Sequence, residues 1–391
     1  MKEGWEYMKL GEVCEILNGF AFKSSNYVDC GIRIIRITNV QKGIIVDNSP
    51  KYYPLSEENN LNKYILKKND LLMSLTGNVG RVGLLPKGLT PAALNQRVAC
   101  IRMKNDNLSK TFLFHYLNSN SFEQLCIENA SGAAQLNLST VWLSNVQIPV
   151  PPISDQQRIV SYLDSEFAKI EALKANAETQ LQAAKDLFQK ALKELLTPKE
   201  GWEIESIGNV FKSYSGGTPI KSHQEYYDNA TIPWLNSGEV CQKYITSTNN
   251  YISELGLKNS SAKFFPVNTV LIAMYGATAA QAGILKFEAT SNQAVCGLLP
   301  TKEMLPEFVY YWFLHNKTEF ASMAQGGAQP NLSQVKIKAM PIPVIEIEQQ
   351  QSICDKLNTF EQKVKQLQDN YNETITLCND LKQSLLKKIF E

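Results

Sequence analysis

The nonapeptide SGAAQLNLS at residues 131–139 returns as QGGAQPNLS at residues 325–333. The recurrence keeps Gly132/Gly326, Ala134/Ala328, Gln135/Gln329 and Asn137–Leu138–Ser139/Asn331–Leu332–Ser333. Upstream, Asn95–Gln96 with Val98 returns as Asn292–Gln293 with Val295, and Gly4–Trp5–Glu6 as Gly201–Trp202–Glu203. Downstream, Ile-Pro-Val at 148–150 reappears at 342–344, and Gln156–Gln157 as Gln350–Gln351. The offset of these matches shifts from 197 to 194, so loops change length while the landmarks keep their order. Chance gives one such match; an ordered series along 391 residues is a duplication. Its unit is half the chain, far longer than the ~20–50-residue repeats of solenoids.

Texture changes once within each unit. Short apolar runs broken by turn residues, IRIIRITNV (32–40), DLLMSL (70–75) and QRVACIRM (96–103), read as strands, and TFLFHYLNSNSFEQLC (111–126) reads as helix. TVLIAM (269–274), VCGLL (295–299) and EFVYYWFLHNKTEFASM (307–323) repeat the pattern. After each proline-rich joint the spacing becomes helical, with Ser154 three residues before Gln157 as a capping-box start. Apolar positions fall at Ile159, Leu163, Phe167, Ile170, Leu173, Ala177, Leu181, Ala184, Phe188, Ala191 and Leu195. In the second unit they fall at Ile353, Leu357, Phe360, Val364, Leu367, Tyr371, Ile375, Cys378, Leu381, Leu385 and Ile389. Threes and fours sustained without Gly or Pro indicate coiled-coil helices. Phe360 and Tyr371 are expected in the coil core, and the Gln pairs as caps or part of a docking surface. The expected division is 1–150 globular, 151–197 helical, 198–345 globular and 346–391 helical. The fold class is α+β.

Hydrophobic and charged fractions of 44% and 20% fit a globular chain. No apolar run is long enough for a membrane span, and the start lacks a signal-peptide core, so a cytoplasmic protein without a membrane partner is expected. The eight cysteines show no C-x-x-C pair, which leaves reduced, mostly buried thiols and no metal. Residues 1–150 hold 16 Lys+Arg against 12 Asp+Glu, and residues 198–345 hold 11 against 11. A DNA ligand would therefore need phosphate neutralisation from partner proteins as well. No dinucleotide fingerprint, adenine-methylation motif, Walker motif or H-E-x-x-H is present, so neither a cofactor nor catalysis is expected on this chain. His115 and His315, each in a helical stretch, read as packing residues.

Two helices of this length span roughly 65 Å. Paired antiparallel, they would give the globular domains an approximate two-fold relation, a spacing device for reading a split DNA target. The ordered motifs W-x-x-x-x-[LI]-G-x-V, the glycine loop Thr76–Gly83, N-Q, G-x-x-Q-x-N-L-S, I-P-V and Q-Q before a long helix resemble the specificity subunits of type I restriction–modification enzymes, across the whole chain twice over. The second glycine loop, Tyr275–Gly283, departs from the first, with Ala280 where the first copy has Arg81 or its neighbour. The resemblance implies two target-recognition domains reading an asymmetric bipartite sequence in double-stranded DNA. It further implies an antiparallel coiled coil with pseudo-two-fold symmetry, two methyltransferase subunits docked on it, and restriction subunits in the assembly. S-adenosylmethionine, ATP and Mg²⁺ are then expected on those partners. An adaptor coiled coil without DNA contact and a self-contained DNA-modifying enzyme are the other readings.

Base edges are read by Arg or Lys at guanine and Asn or Gln at adenine, while glycine loops approach phosphates. Candidates in the first unit are Lys23, Ser24, Arg33, Arg36, Asn39, Thr76, Asn78, Arg81, Asn95, Gln96 and Arg97. In the second they are Ser215, Thr218, Lys221, Asn236, Ser237, Tyr275, Thr278, Gln281, Asn292 and Gln293. Asn95 and Asn292, common to both copies, also suit bracing a loop, and Gly216–Gly217 simply turning the chain. Specificity is expected where the copies differ, as at Arg33–Arg36 against Pro233–Asn236.

Overall fold

A computed structural model describes residues 4–324 and 331–391, with the side chain of Ala277 left out. Gly326, Ala328 and Gln329 of the repeated motif thus lie outside the described residues. The chain divides into two compact units, Met1–Glu178 with Asn372–Glu391, and Thr179–Tyr371.

In the first unit the apolar run at 70–75 becomes the fully buried strand Leu71–Ser74. It pairs antiparallel with Val98–Met103 and Val82–Leu84, and Val98–Met103 pairs in turn with Cys14–Asn18. A second sheet sets Ile32–Ile35 parallel to Ala92–Leu94, flanked by Tyr52–Tyr53 and Ile65–Leu66. The second unit repeats the order: Ser213–Ser215, Val295–Leu298, Val270–Ala273 and Ala282–Leu285, extended by Tyr244–Ile245. Beside it Ile232–Leu235 lies parallel to Thr290–Ser291 and antiparallel to Tyr251–Ile252. The motifs at the ends of each copy find each other. Glu6–Lys9 pairs with Gln147–Val150, and Glu203–Ser206 with Pro341–Val344, so Trp-Glu and Ile-Pro-Val close each globular domain as a two-stranded ribbon.

The helical stretch at 111–126 is two helices, Lys110–Leu117 and Asn120–Glu128, broken where Ser119 turns to accept Phe122 N–H (3.3 Å) as an N-cap. Its counterpart splits likewise into Pro306–His315 and Lys317–Ser322. The long helices are Ile153–Leu196 and Ile347–Phe390, 44 residues each. Ser154 therefore lies inside the first turn rather than at the cap, and Pro152 O accepts the Asp155 and Gln156 amides.

Gln156 and Gln350 are wholly buried, which takes them off any docking surface, and their amides bond the joint and a neighbouring loop rather than cap the helix. Gln156 Oε1 accepts Ser109 N–H (2.7 Å) while its Nε2 donates to Asn107 O (2.8 Å) and Pro151 O (2.7 Å). Gln350 does the same with Leu305 N–H (2.8 Å), Glu303 O (2.7 Å) and Ile345 O (2.8 Å). A second polar clasp follows. Six residues past Ser109 stands His115, and six past Leu305 stands Tyr311; each meets the residue eight places beyond its glutamine. His115 Nε2 lies 2.9 Å from Asp164 Oδ1, and the Tyr311 hydroxyl 2.7 Å from Asn358 Oδ1. Lys243 Nζ joins the second clasp, donating to Asn358 Oδ1 (2.7 Å) and Glu361 Oε2 (2.6 Å).

Each core holds the start of one long helix and the end of the other. The first gathers Leu71, Phe112, Phe122, Ile159, Leu163 and Leu386; the second gathers Leu192, Leu196, Phe308, Trp312, Ile353 and Leu357. The coil seam is narrower than the apolar pattern suggested. Deep burial recurs every seven residues at Leu163, Ile170, Ala177, Ala184 and Ala191, as heptads require, and at Leu357, Val364 and Cys378. Leu173, Phe360, Leu367 and Leu381 are exposed, so Phe360 is not a core residue, and Tyr371 is only half-buried. Six of the eight cysteines are buried, and burial pushes the thiols of Cys14, Cys126, Cys296 and Cys354 up to about 12.

Candidate nucleic-acid interface

In the first unit the repeated segments converge on the turn Asn95–Arg97. Asn95 Oδ1 accepts Arg97 N–H (3.1 Å), and Gln96 N–H donates to Phe20 O (3.0 Å). This approach requires Gly19, because a Cβ there would stand 2.2 Å from the Asn95 carbonyl. From the other side Leu75 N–H donates to Arg97 O (2.9 Å), and Leu75 O accepts Leu138 N–H (2.8 Å). Thr76 Oγ1 donates to Asn137 Oδ1 (2.9 Å), and Gly77 N–H donates to Leu136 O (2.8 Å). The glycine loop, the N-Q turn, the segment after Gly19 and the SGAAQLNLS loop thus form one hydrogen-bonded surface.

The second unit builds the same surface. Gly216 packs where a Cβ would lie 2.2 Å from Ser291 O, and Asn292 Oδ1 accepts Ala294 N–H (3.0 Å). Met274 N–H donates to Ala294 O (2.8 Å), Leu332 N–H donates to Met274 O (2.8 Å), and Tyr275 bridges Asn331. Gly216–Gly217 therefore serve close packing, and Asn95 and Asn292 brace their turns.

Several candidates are engaged by neighbours inside the domain. Arg33 is paired with Asp47 and lies over the Tyr52 ring at 5.1 Å. Arg36 Nη2 donates to Ser49 O (2.7 Å). Asn39 is 2% exposed, accepting Arg36 N–H (2.9 Å) and donating to Val46 O (2.9 Å). Thr76 is buried against Asn137. Arg81 Nη1 donates to Gln41 Oε1 (2.9 Å), with Glu123 Oε1 at 3.7 Å from its Nε. Sheet register sets Val82 opposite Met73 and Ala282 opposite Ile272, so Ala280 matches Gly80 and Gln281 matches Arg81. Ala280 takes the same left-handed backbone, φ 65° against 78°. Gly83 belongs to the strand Val82–Leu84 rather than to the loop.

Lys23, Ser24, Asn78, Gln96 and Arg97 are exposed on the first unit, and Lys221, Tyr275 and Gln293 on the second. Gln293 accepts a hydrogen bond from Thr218, Ser215 Oγ lies 3.4 Å from Gln334 Oε1, and Thr278 Oγ1 donates to Tyr275 O (3.1 Å). Asn236 Oδ1 accepts from Asn292 Nδ2 (3.0 Å), while Ser237 and Gln281 are half-buried. Gln135 and Asn137, exposed beside Thr76 and Gly77, are missing from the sequence-based set, although their motif is the most visible repeat in the chain. Among the described residues no cluster of His, Cys, Asp and Glu could hold a metal, and no helix is long and apolar enough to cross a membrane.

The family model for the type I restriction modification DNA specificity domain matches residues 2–183 and again 199–377. The EcoR124I/EcoR124II specificity subunit of Escherichia coli is 29% identical over 237 residues, 56% of this chain and 57% of that relative's length. The EcoBI specificity subunit of Escherichia coli is 25% identical over 99% of this chain and 86% of the relative. A chain solved in work on complex assembly and conformational transition of the type I R-M system matches with TM-score 0.77 at 20% identity, covering 100% of this chain and 98% of that one. Such subunits are the non-catalytic, DNA-recognising components of type I systems. With the family's domain matched twice and the same strand order built twice, the chain belongs to the type I restriction–modification DNA specificity family.

Proposed function

We propose that each unit reads one half of an asymmetric bipartite sequence in double-stranded DNA, and that the long helices carry two methyltransferase subunits. Restriction subunits complete the assembly, and S-adenosylmethionine, ATP and Mg²⁺ reside on those partners. The observation that carries this reading is the twice-built surface around Asn95–Arg97 and Asn292–Ala294: one backbone frame, two different sets of exposed side chains. A shared frame suits a shared ligand, and divergent side chains suit different base sequences. The exposed apolar residues Leu173, Phe360, Leu367 and Leu381 suit partner docking on the helices.

Replacing residues 1–150 with the corresponding domain of a relative tests the reading. Methylation mapping of host DNA should show one half-site changed and the other retained. A change in both halves, or none in either, overturns it.

A further inference from the structure

We propose that Arg97 is a specificity-determining residue that reads a guanine in the half-site of the first unit; the inference rests on the DNA-reading function proposed above. All six arginines of the chain lie within residues 1–158, and residues 198–345 contain none. Five of them are engaged: Arg33 with Asp47, Arg36 with the Ser49 carbonyl, Arg81 with Gln41 and Glu123, Arg102 with Asp70, and Arg158 with Asp155. Among the described residues Arg97 alone of the six is exposed on the convergent surface with no acceptor for its guanidinium.

Its backbone is fixed from both sides. The N–H is held by Asn95 Oδ1 (3.1 Å), the carbonyl by Leu75 N–H (2.9 Å), and the next residue, Val98, is wholly buried. The second unit supplies an internal control, because Ala294 occupies the same turn with the same two bonds, at 3.0 Å to Asn292 Oδ1 and 2.8 Å from Met274 N–H. The turn therefore forms without any side chain beyond Cβ, and folding does not require the guanidinium. A planar donor fork on a rigid turn, beside the exposed amide of Gln96, matches the O6 and N7 acceptors of guanine in the major groove. The second unit, lacking arginine, has to read its half-site with amides, hydroxyls, lysines and Tyr275.

The test compares wild type, Arg97→Ala and Arg97→Lys, each assembled with its methyltransferase subunits. The readouts are the methylation pattern of host DNA and binding to oligonucleotides varied one base at a time. Arg97→Ala is expected to melt as wild type does. It should relax a single G·C position of one half-site by roughly tenfold to a hundredfold, leaving the other half-site unchanged. Arg97→Lys should recover affinity without recovering the discrimination. A uniform loss across all sequences with a shallower salt dependence would assign Arg97 to a phosphate and overturn the proposal, as would an unaltered base preference or full discrimination by lysine. A wild-type complex with no bipartite target would instead defeat the underlying function, so the two failures are told apart.

Discussion

Gln156 and Gln350 show how much one neutral side chain does in this protein. Each spends a whole buried amide on three backbone groups of the joint and the loop that flank its helix, anchoring the helix where it leaves the globular domain. Gln156→Ala leaves those groups short of partners at about 1–3 kcal/mol for each buried one, so a loss of roughly 3 kcal/mol is expected in urea unfolding. The exposed neighbour Gln157, changed to Ala, should move stability by less than about 0.5 kcal/mol. Equal effects from both would show that the amide bonds carry no special weight. At the clasp between His115 and Asp164, burial holds the His115 imidazole below its ordinary 6.5. The unfolded chain then takes up the proton first, so stability from this group is complete above about pH 6.5 and is lost as the pH falls toward the lowered folded value. The second unit suggests the control, His115→Tyr with Asp164→Asn, which copies Tyr311 and Asn358. The double variant should lose less Tm than wild type between pH 7 and 5.5; parallel curves would remove His115 as the titrating group.

The long helices were legible as elements because their signal is periodic: heptad spacing without Gly or Pro admits little else. Their edges and partners were not. Whether Leu173 or Ile170 is buried depends on the neighbouring helix, and 56% exposure against 3% separates two residues that the apolar pattern treats alike. The same non-locality hid the fate of the arginines. Asp47 and Glu123 neutralise Arg33 and Arg81 across 14 and 42 positions of sequence, where no motif links them. The turn residues fared better, since an Asn bracing the amide two places on is a local device repeated in both copies. The helix ends carry a further consequence within the first unit. Phe390 packs edge-on against Phe112 at 5.5 Å, and Trp5 meets Phe112 at 6.1 Å, so the two ends of the chain share one core. Joining them by a short linker and opening the chain at the exposed residues Thr197–Lys199 is expected to yield a folded subunit with unchanged Tm and partner binding. An insoluble permutant would show that the Thr197–Lys199 connection is needed for folding.

At the scale of the molecule, the division between units falls inside both long helices, at Glu178/Thr179 in one and Tyr371/Asn372 in the other. We propose that these crossings set the spacing between the two half-sites. The first long helix ends at Leu196, and Leu192 and Leu196 are wholly buried in the second unit's core. Four residues added between Leu196 and Thr197 should therefore extend only an exposed connection and leave the target unchanged. Four residues added in each helix at its crossing lengthen both by about 6 Å, between one and two base pairs at ~3.4 Å each. They also turn the helix by about 400°, a residual of about 40° that is close to the ~34–36° step between neighbouring base pairs. Two residues turn it by about 200° and should abolish activity, because one reading surface then faces away from the duplex. Methylation mapping decides between these outcomes: the four-residue crossing variant should keep both half-sites with a spacer longer by one or two base pairs. The same lengthening from the insertion after Leu196, or an unchanged spacer in an active crossing variant, would locate the ruler elsewhere.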